Sequence, residues 1–261
     1  AHSDELPPGP DFSLGVPQLQ VPAGGVLAGH VGEEAVLLSR LDDGFHAVSG
    51  TCTHYGAPLG EGLIVDGEVR CPWHHACFSL RSGRARKAPA LSALATWKVE
   101  LQGDRVFVRT KDDAKPAAPK PRTPRERIVI VGGGAAGFAA AQRLRELGHA
   151  GKLVMLSADE AGPYDRPNLS KDYLAGEAPE EWIPLKDEDF YKEHRIELHT
   201  GAEVTGVDAK AREVRTADGG RFGYDALLLA TGAEPRALPI PGLDHANVHV
   251  LRTLADARAI I

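Results

Sequence analysis

Two short clusters concentrate the side chains able to bind a metal. Cys52-Thr53-His54 is followed, after residues 55–70, by Cys71-Pro72-Trp73-His74. Each cluster supplies one thiol and one imidazole, in the spacings C-x-H and C-x-x-H, and Gly or Pro lies beside both. Two thiolates and two imidazoles on a pair of tight loops can converge on one metal centre. Without a metal they read as two structural histidines and two buried thiols. A tetrahedral zinc site also uses two Cys and two His, but zinc fingers keep the Cys pair and the His pair apart. Here each loop mixes the two. His75 reads as an exposed or neighbouring side chain rather than a ligand. Cys77, which precedes Phe78, reads as a buried, inert thiol.

A second chemistry-bearing segment begins at Ile128. The β-branched run Ile128-Val129-Ile130-Val131 leads into Gly132-Gly133-Gly134-Ala135-Ala136-Gly137, and an Ala/Leu/Arg-rich stretch with helical spacing runs to Leu147. Strand, G-x-G-x-x-G and helix together form a pyrophosphate cradle. Gly132 allows the tight turn, Gly134 lets the backbone approach the phosphates, and Gly137 lets helix pack on strand, with free N–H groups at the helix start. The plain alternative is a Gly-rich helix start with no ligand. The next strand, 152–156, should end in an acid for a ribose. It ends in Ser157-Ala158, and Asp159-Glu160 follow, so either acid is a candidate.

These segments need two kinds of scaffold. Ahead of residue 110, short Val/Leu-rich runs at 25–31, 35–41 and 45–48 alternate with turn signals, the strongest being Asp66-Gly67, and no good helical period appears. That part reads as all-β. Residues 111–127 hold four prolines and no large apolar side chain, and read as a semi-extended linker. From 128 onward the strand–helix–strand pattern predicts a βαβ unit. The net charges of 1–110, 111–127 and 128–261 are -3, +3 and -6, giving -6 over 261 residues. A mildly acidic chain has no general field for nucleic acid or an anionic membrane. No apolar run approaches the length needed to span a bilayer. No signal peptide is visible, and three cysteines cannot make a disulfide scaffold, so a reducing, cytoplasmic setting is expected.

The two-loop Cys/His pattern resembles the Rieske iron–sulfur family over roughly residues 10–110. The resemblance implies that Cys52 and Cys71 hold one iron of a [2Fe-2S] cluster, and His54 and His74 the other. The family usually has Gly after the second ligand His, where this chain has His75. Two ferric ions, two sulfides and two thiolates sum to zero charge, so such a cluster takes an electron more readily than a four-thiolate one. High-potential relatives add a disulfide and hydroxyl donors at positions held here by Ala57, Trp73, Ala76 and Phe78. A ferredoxin-type potential at the low end of the Rieske range is therefore expected.

Beyond residue 125, Pro163-Tyr164-Asp165-Arg166-Pro167-Asn168-Leu169-Ser170-Lys171 and Ala230-Thr231-Gly232-Ala233-Glu234-Pro235-Arg236 resemble FAD-dependent pyridine-nucleotide reductases. The oxygenase-type ferredoxin reductases and apoptosis-inducing-factor-like proteins are the nearest groups. The resemblance implies that Gly132, Gly134, Ala136 and Gly137 bind the FAD pyrophosphate, and that Asp159 or Glu160 takes the ribose. It places Arg166 and Lys171 beside the flavin, Val204 against adenine through its backbone, Thr231-Gly232 at the domain's close, and Arg252 as a late flavin contact. Such reductases carry a second Rossmann unit for NAD(P)H, and only one G-x-G-x-x-G occurs here, so the FAD-binding α/β domain is expected to be incomplete and the chain to be part of a longer protein.

The expected architecture is thus a Rieske domain at 1–110, a linker at 111–127 and the N-terminal part of a Rossmann-like FAD domain at 128–261. The expected role is electron transfer from NAD(P)H through FAD to the cluster in the complete protein, with no catalytic side chain required and an acceptor protein or oxygenase as partner. The alternative is a module that holds a cluster and does not turn over.

Overall fold

In the computed structural model, residues 6–112, 127–236, 238–243 and 245–261 are described. The chain divides into two compact units. Nearly all of the expected linker, 113–126, lies outside the described residues.

The first unit is built from ten strands: β1 (Val16–Pro17), β2 (Val26–Val31), β3 (Glu34–Leu41), β4 (Gly44–Ser49), β5 (Leu63–Val65), β6 (Glu68–Arg70), β7 (Cys77–Ser79), β8 (Ala85–Lys87), β9 (Thr96–Gln102) and β10 (Arg105–Asp112). Among its described residues the only helical pieces are single 3-10 turns, as the missing helical period predicts. One antiparallel sheet has the order β1-β10-β9-β4-β3-β2, the other β5-β6-β7-β8. Strand β3 is buried on both faces. Val36 and Leu38 join Phe12, Trp97, Val106 and Val108 on one side, and Leu37 joins Leu59, Val69, Phe78 and Leu80 on the other. Removing each such side chain from water stabilises the unit by about 1.5–3 kcal/mol, which outweighs any strand propensity. The β5–β6 hairpin turns at Asp66 and Gly67, both at positive φ (51° and 73°), which is the paired left-handed geometry an Asp-Gly turn favours.

The second unit contains β11 (Ile128–Val131), α1 (Ala135–Glu146), β12 (Leu153–Leu156), α2 (Glu188–Glu193), β13 (Ile196–His199), β14 (Val204–Asp208), β15 (Glu213–Thr216), β16 (Arg221–Gly223), β17 (Ala226–Leu229) and α3 (Leu254–Ile260). A parallel sheet runs β13-β12-β11-β17, and β14-β15-β16 form an antiparallel meander. The βαβ expectation is realised, with α1 ending one residue short of Leu147. The far end of α1 is tied down by Arg145, whose guanidinium donates to the carbonyls of His149, Gly151, His194 and Arg195. That fixes the axis of α1 and hence where its N-terminus points.

The segment 164–183 packs on α3 through Tyr164, Leu169, Tyr173, Ile183, Leu254 and Ala257. Arg258 of α3 bonds Glu180, to which the Tyr173 hydroxyl also donates (2.7 Å). These partners hold the Glu180 carboxyl at about 2, below its ordinary 4.5. A carboxyl depressed in the folded state stabilises it above its unfolded pKa, and that contribution is lost as pH falls towards the folded value. Acidification from about 4.5 to about 2 should therefore loosen α3 in the wild type. Glu180→Gln should remove this part of the acid dependence, read as amide exchange across 254–260; an unchanged profile would show that the Glu180 contacts do not help seat α3.

Candidate functional site

The first unit brings the two Cys/His loops together at the ends of its strands. Each cysteine closes its own loop in the same way. Cys52 donates its N–H to the Ala57 carbonyl (2.9 Å) and accepts the N–H of Gly56 (2.9 Å). Cys71 donates to Ala76 (2.8 Å) and accepts from His75 (3.1 Å). The residue four places after each cysteine is left-handed, with φ 74° at Gly56 and 62° at His75. His75 therefore occupies a position that favours glycine. The two alanines are buried, as are Cys52, Cys71 and Phe78, in one core cluster. Thr53 braces the first loop from outside, its Oγ1 donating to the Ser92 carbonyl (2.7 Å).

The four predicted ligands converge two by two. Cys52 and Cys71 are neighbouring free thiols. Burial pushes the Cys52 thiol up, the backbone N–H groups of His54 and Tyr55 pull it down, and Cys71 beside it raises it further. The rings of His54 and His74 lie edge to face with centroids 5.0 Å apart. Among the described residues, no three or more His, Cys, Asp or Glu gather around a single ion. Pairs of like ligands suit a two-iron centre with two ligands per iron better than one tetrahedral zinc. Cys52 and Cys71 are buried, His54 is partly buried and His74 is exposed. Cys77 is buried, as expected, with Sγ directed at the His75 carbonyl (3.5 Å). Two features were not anticipated. Tyr55 touches both histidine rings, at 4.4 and 5.8 Å, and Trp73 is 55% exposed beside them.

In the second unit, a cleft of about 380 Å³ opens at the C-terminal ends of β11, β12 and β17. Gly132, Gly134, Asp159, Arg166, Val204, Thr231, Gly232 and Arg252 line it. A Cβ on Gly132 (φ 119°) would meet the Ala230 carbonyl at 2.1 Å, and one on Gly137 would meet the Gly132 carbonyl at 2.0 Å, so both glycines are needed for backbone to pack on backbone. At Gly134 a Cβ would meet nothing within 4 Å, and its place is open for a ligand. Gly134 caps α1 without a side-chain hydrogen bond, leaving the first-turn N–H groups to an anion. These features fit a dinucleotide pyrophosphate.

Ala136, Gly137, Glu160 and Lys171 do not line this cleft. Gly137 acts through packing, Ala136 and Lys171 are exposed, and Glu160 lies against Gly201. Of the two candidate acids, Asp159 is the one that faces the cleft. Ser157, Glu203 and Glu234 also line it and were not singled out from sequence. Ser157 could have been, since it stands directly where the strand ends.

Comparison with known proteins agrees with this geometry. Residues 126–261 match the pyridine nucleotide-disulphide oxidoreductase family, and residues 15–98 match the Rieske [2Fe-2S] domain. Apoptosis-inducing factor 3 of Homo sapiens is 36% identical over 238 residues, 87% of this chain and 39% of that protein. The probable ferredoxin reductase CtmF of Castellaniella defragrans is 42% identical over 132 residues, 51% of this chain and 32% of that protein. A solved ferredoxin reductase from Rhodopseudomonas palustris shares 32% identity with a TM-score of 0.50, over 52% of this chain and 33% of that one. The chain thus spans about two fifths or less of the length of these relatives. It belongs to the pyridine nucleotide-disulphide oxidoreductase family, and it carries a Rieske [2Fe-2S] domain ahead of the nucleotide-binding region.

Proposed function

We propose that this chain is the cluster- and flavin-binding part of an oxidoreductase that passes electrons from NAD(P)H through FAD to a Rieske [2Fe-2S] cluster. The observation that carries the reading is the pairing of thiol with thiol and imidazole with imidazole on two matched loops, in a chain that also holds a glycine-lined cleft. When bound, FAD accepts two electrons as a hydride and the cluster accepts one at a time. The protein's own contribution is to bind and orient. Cys52 and Cys71 hold one iron, His54 and His74 the other. Gly132, Gly134 and the start of α1, with Ala136 and Gly137 shaping it, receive the pyrophosphate, and Asp159 rather than Glu160 takes the ribose. Arg166, paired with Asp159, would stand at the ribose end, Lys171 and Arg252 would stand beside the flavin, Val204 would meet adenine through its backbone, and Thr231 and Gly232 would close the domain. No side chain is needed as nucleophile or proton donor.

An acceptor protein or oxygenase would meet the face formed by Tyr55, Trp73 and His74, whose loops, 52–58 and 71–77, contain no Asp, Glu, Lys or Arg. A reducing compartment such as the cytoplasm suits the three free cysteines. Among the described residues, no helix is long and apolar enough to cross a membrane.

Absorption and EPR spectra of the purified chain test the reading. Visible cluster bands and a signal on reduction support it, and a colourless, zinc-loaded protein would overturn it. Ligand roles are tested one by one. His54→Ala and His74→Ala should each abolish the EPR signal of the reduced cluster, and His75→Ala should retain it. Loss of the cluster on changing His75 alone would reverse the assignment.

The potential gives a further prediction. Ala76 and Phe78 are fully buried beside the cysteines and offer no hydroxyl to a cluster sulfur. Adding donors should stabilise the more negative reduced state. A charge-assisted hydrogen bond contributes about 1.5–3 kcal/mol, of which only the difference between redox states counts. Ala76→Ser and Phe78→Tyr should therefore each raise the potential by tens of millivolts, on the scale of about 59 mV per tenfold for one electron. Voltammetry of the double variant checks this; an unchanged potential with a normal cluster spectrum would mean that the hydroxyls do not reach the sulfurs.

A further inference from the structure

The cleft contains a network that the glycine motif does not explain. Asp159 directs one carboxylate oxygen, Oδ2, at two donors: Arg166 Nη2 at 2.6 Å and the Tyr164 hydroxyl at 3.1 Å. Among the described residues, Asp159 Oδ1 accepts no hydrogen bond. Tyr164 is 4% exposed, and its hydroxyl also accepts the N–H of Leu254, the first residue of α3, at 3.1 Å. The guanidinium of Arg166 lies 4.8 Å over the Tyr164 ring and donates from Nη1 to the Arg252 carbonyl at 2.7 Å. Asp256 closes the circuit by accepting the N–H groups of Arg252 (2.9 Å) and Thr253 (2.7 Å). Two links thus run from the carboxylate to the residues that start α3.

Two donors on one oxygen restrict rotation of the carboxylate and so bias the direction of its other oxygen. An anionic oxygen presented to a cleft accepts hydroxyl donors and repels phosphate. A ribose diol supplies such donors, and the pyrophosphate is left to the glycine turn. Arg166 alone could pair with Asp159, but it could not also accept an N–H. The tyrosine hydroxyl does both, donating to Asp159 and accepting from Leu254. Burial pushes Tyr164 above the ordinary phenol range, so the hydroxyl keeps its proton and remains a donor at neutral pH.

We propose that Tyr164 is the positioning residue of this cleft: it turns Asp159 so that Oδ1 meets a ribose hydroxyl of the dinucleotide, and it ties the seating of α3 to that contact. The inference rests on the FAD reading of the cleft. It makes ligand binding and docking of α3 parts of one event, because the same hydroxyl serves both.

Titration of the full chain with FAD, ADP and FMN tests it, alongside hydrogen exchange at Leu254. FMN lacks the adenosine ribose and is the internal control. Tyr164→Phe should weaken FAD and ADP about tenfold and leave FMN unchanged. Asp159→Asn should weaken the same two ligands, and Tyr164→Phe added to it should cost little more. In the wild type, FAD should slow exchange at Leu254, and Tyr164→Phe should abolish that slowing. A merely structural tyrosine would weaken all three ligands alike, which would overturn the proposal. So would unchanged FAD and ADP affinity in Tyr164→Phe when Asp159→Asn weakens both. If FAD does not bind while ADP binds and responds to Tyr164→Phe, the FAD reading falls and the ribose contact stands. If neither binds, both fall.

Discussion

The cluster-bearing unit depends on one repeated backbone contact. Cys52 and Cys71 are each pinned by their own peptide groups, through an N–H given to the residue five places on and a carbonyl taken by the residue four places on. The ring closes only when that fourth residue turns left-handed, as Gly56 and His75 both do. It also needs a small fifth residue, since Ala57 and Ala76 are packed without space among Cys52, Cys71 and Phe78. With both rings closed, Cys52 and Cys71 are buried, His54 is partly buried and His74 is exposed. The β-sheets serve this end: they fix the four strand ends from which the two loops leave.

The nucleotide-binding unit reaches its site by the same means, through backbone rather than side chains. Gly132 and Gly137 let one turn of chain lie against β17 and α1 at distances no Cβ would permit. The start of α1 is then exposed with no side-chain cap. An uncapped helix start leaves several N–H groups without partners, a cost that an anionic ligand offsets through hydrogen bonds and about 0.3–1 kcal/mol from the helix dipole.

How much of this was legible in the sequence depended on how local the cause was. The hairpin at Asp66-Gly67, the strand at 128–131 and the turn at Gly132 were readable because each is set by residue types within a few positions. The four candidate metal ligands stood out because their spacing is unusual. The mirrored closure of the two loops was not legible, since nothing in Cys71-Pro72-Trp73-His74-His75 announces a left-handed histidine. Nor was the fact that Asp159, not Glu160, lines the cleft. Both follow the strand, and only the approach of Tyr164 and Arg166, and the N–H of Leu254 some 90 residues away, makes them different. Glu203 faces the cleft through the chain's path and belongs to no motif, whereas Ser157 at the strand end and Glu234 within the Ala230–Arg236 stretch lay in segments that could be read.

The two sites also differ in charge, and the difference follows from what each must hold. The cluster loops carry no formally charged side chain apart from their histidines' capacity to protonate. A centre whose irons, sulfides and thiolates sum to zero needs no counter-ion when oxidised, and after reduction only nearby dipoles can stabilise the added charge. The N–H groups of His54 and Tyr55 at the Cys52 sulfur are such dipoles. The cleft faces the opposite requirement. It must accept an anion at one end and hydroxyl donors at the other, so it sets Arg166 and Arg252 against Asp159, Glu203 and Glu234. Charges of both signs in one small cleft attract each other before any ligand arrives, and the Arg166–Asp159 pair is the result. That pairing engages only Asp159 Oδ2, so on the reading proposed above the salt bridge would leave Oδ1 to a ligand.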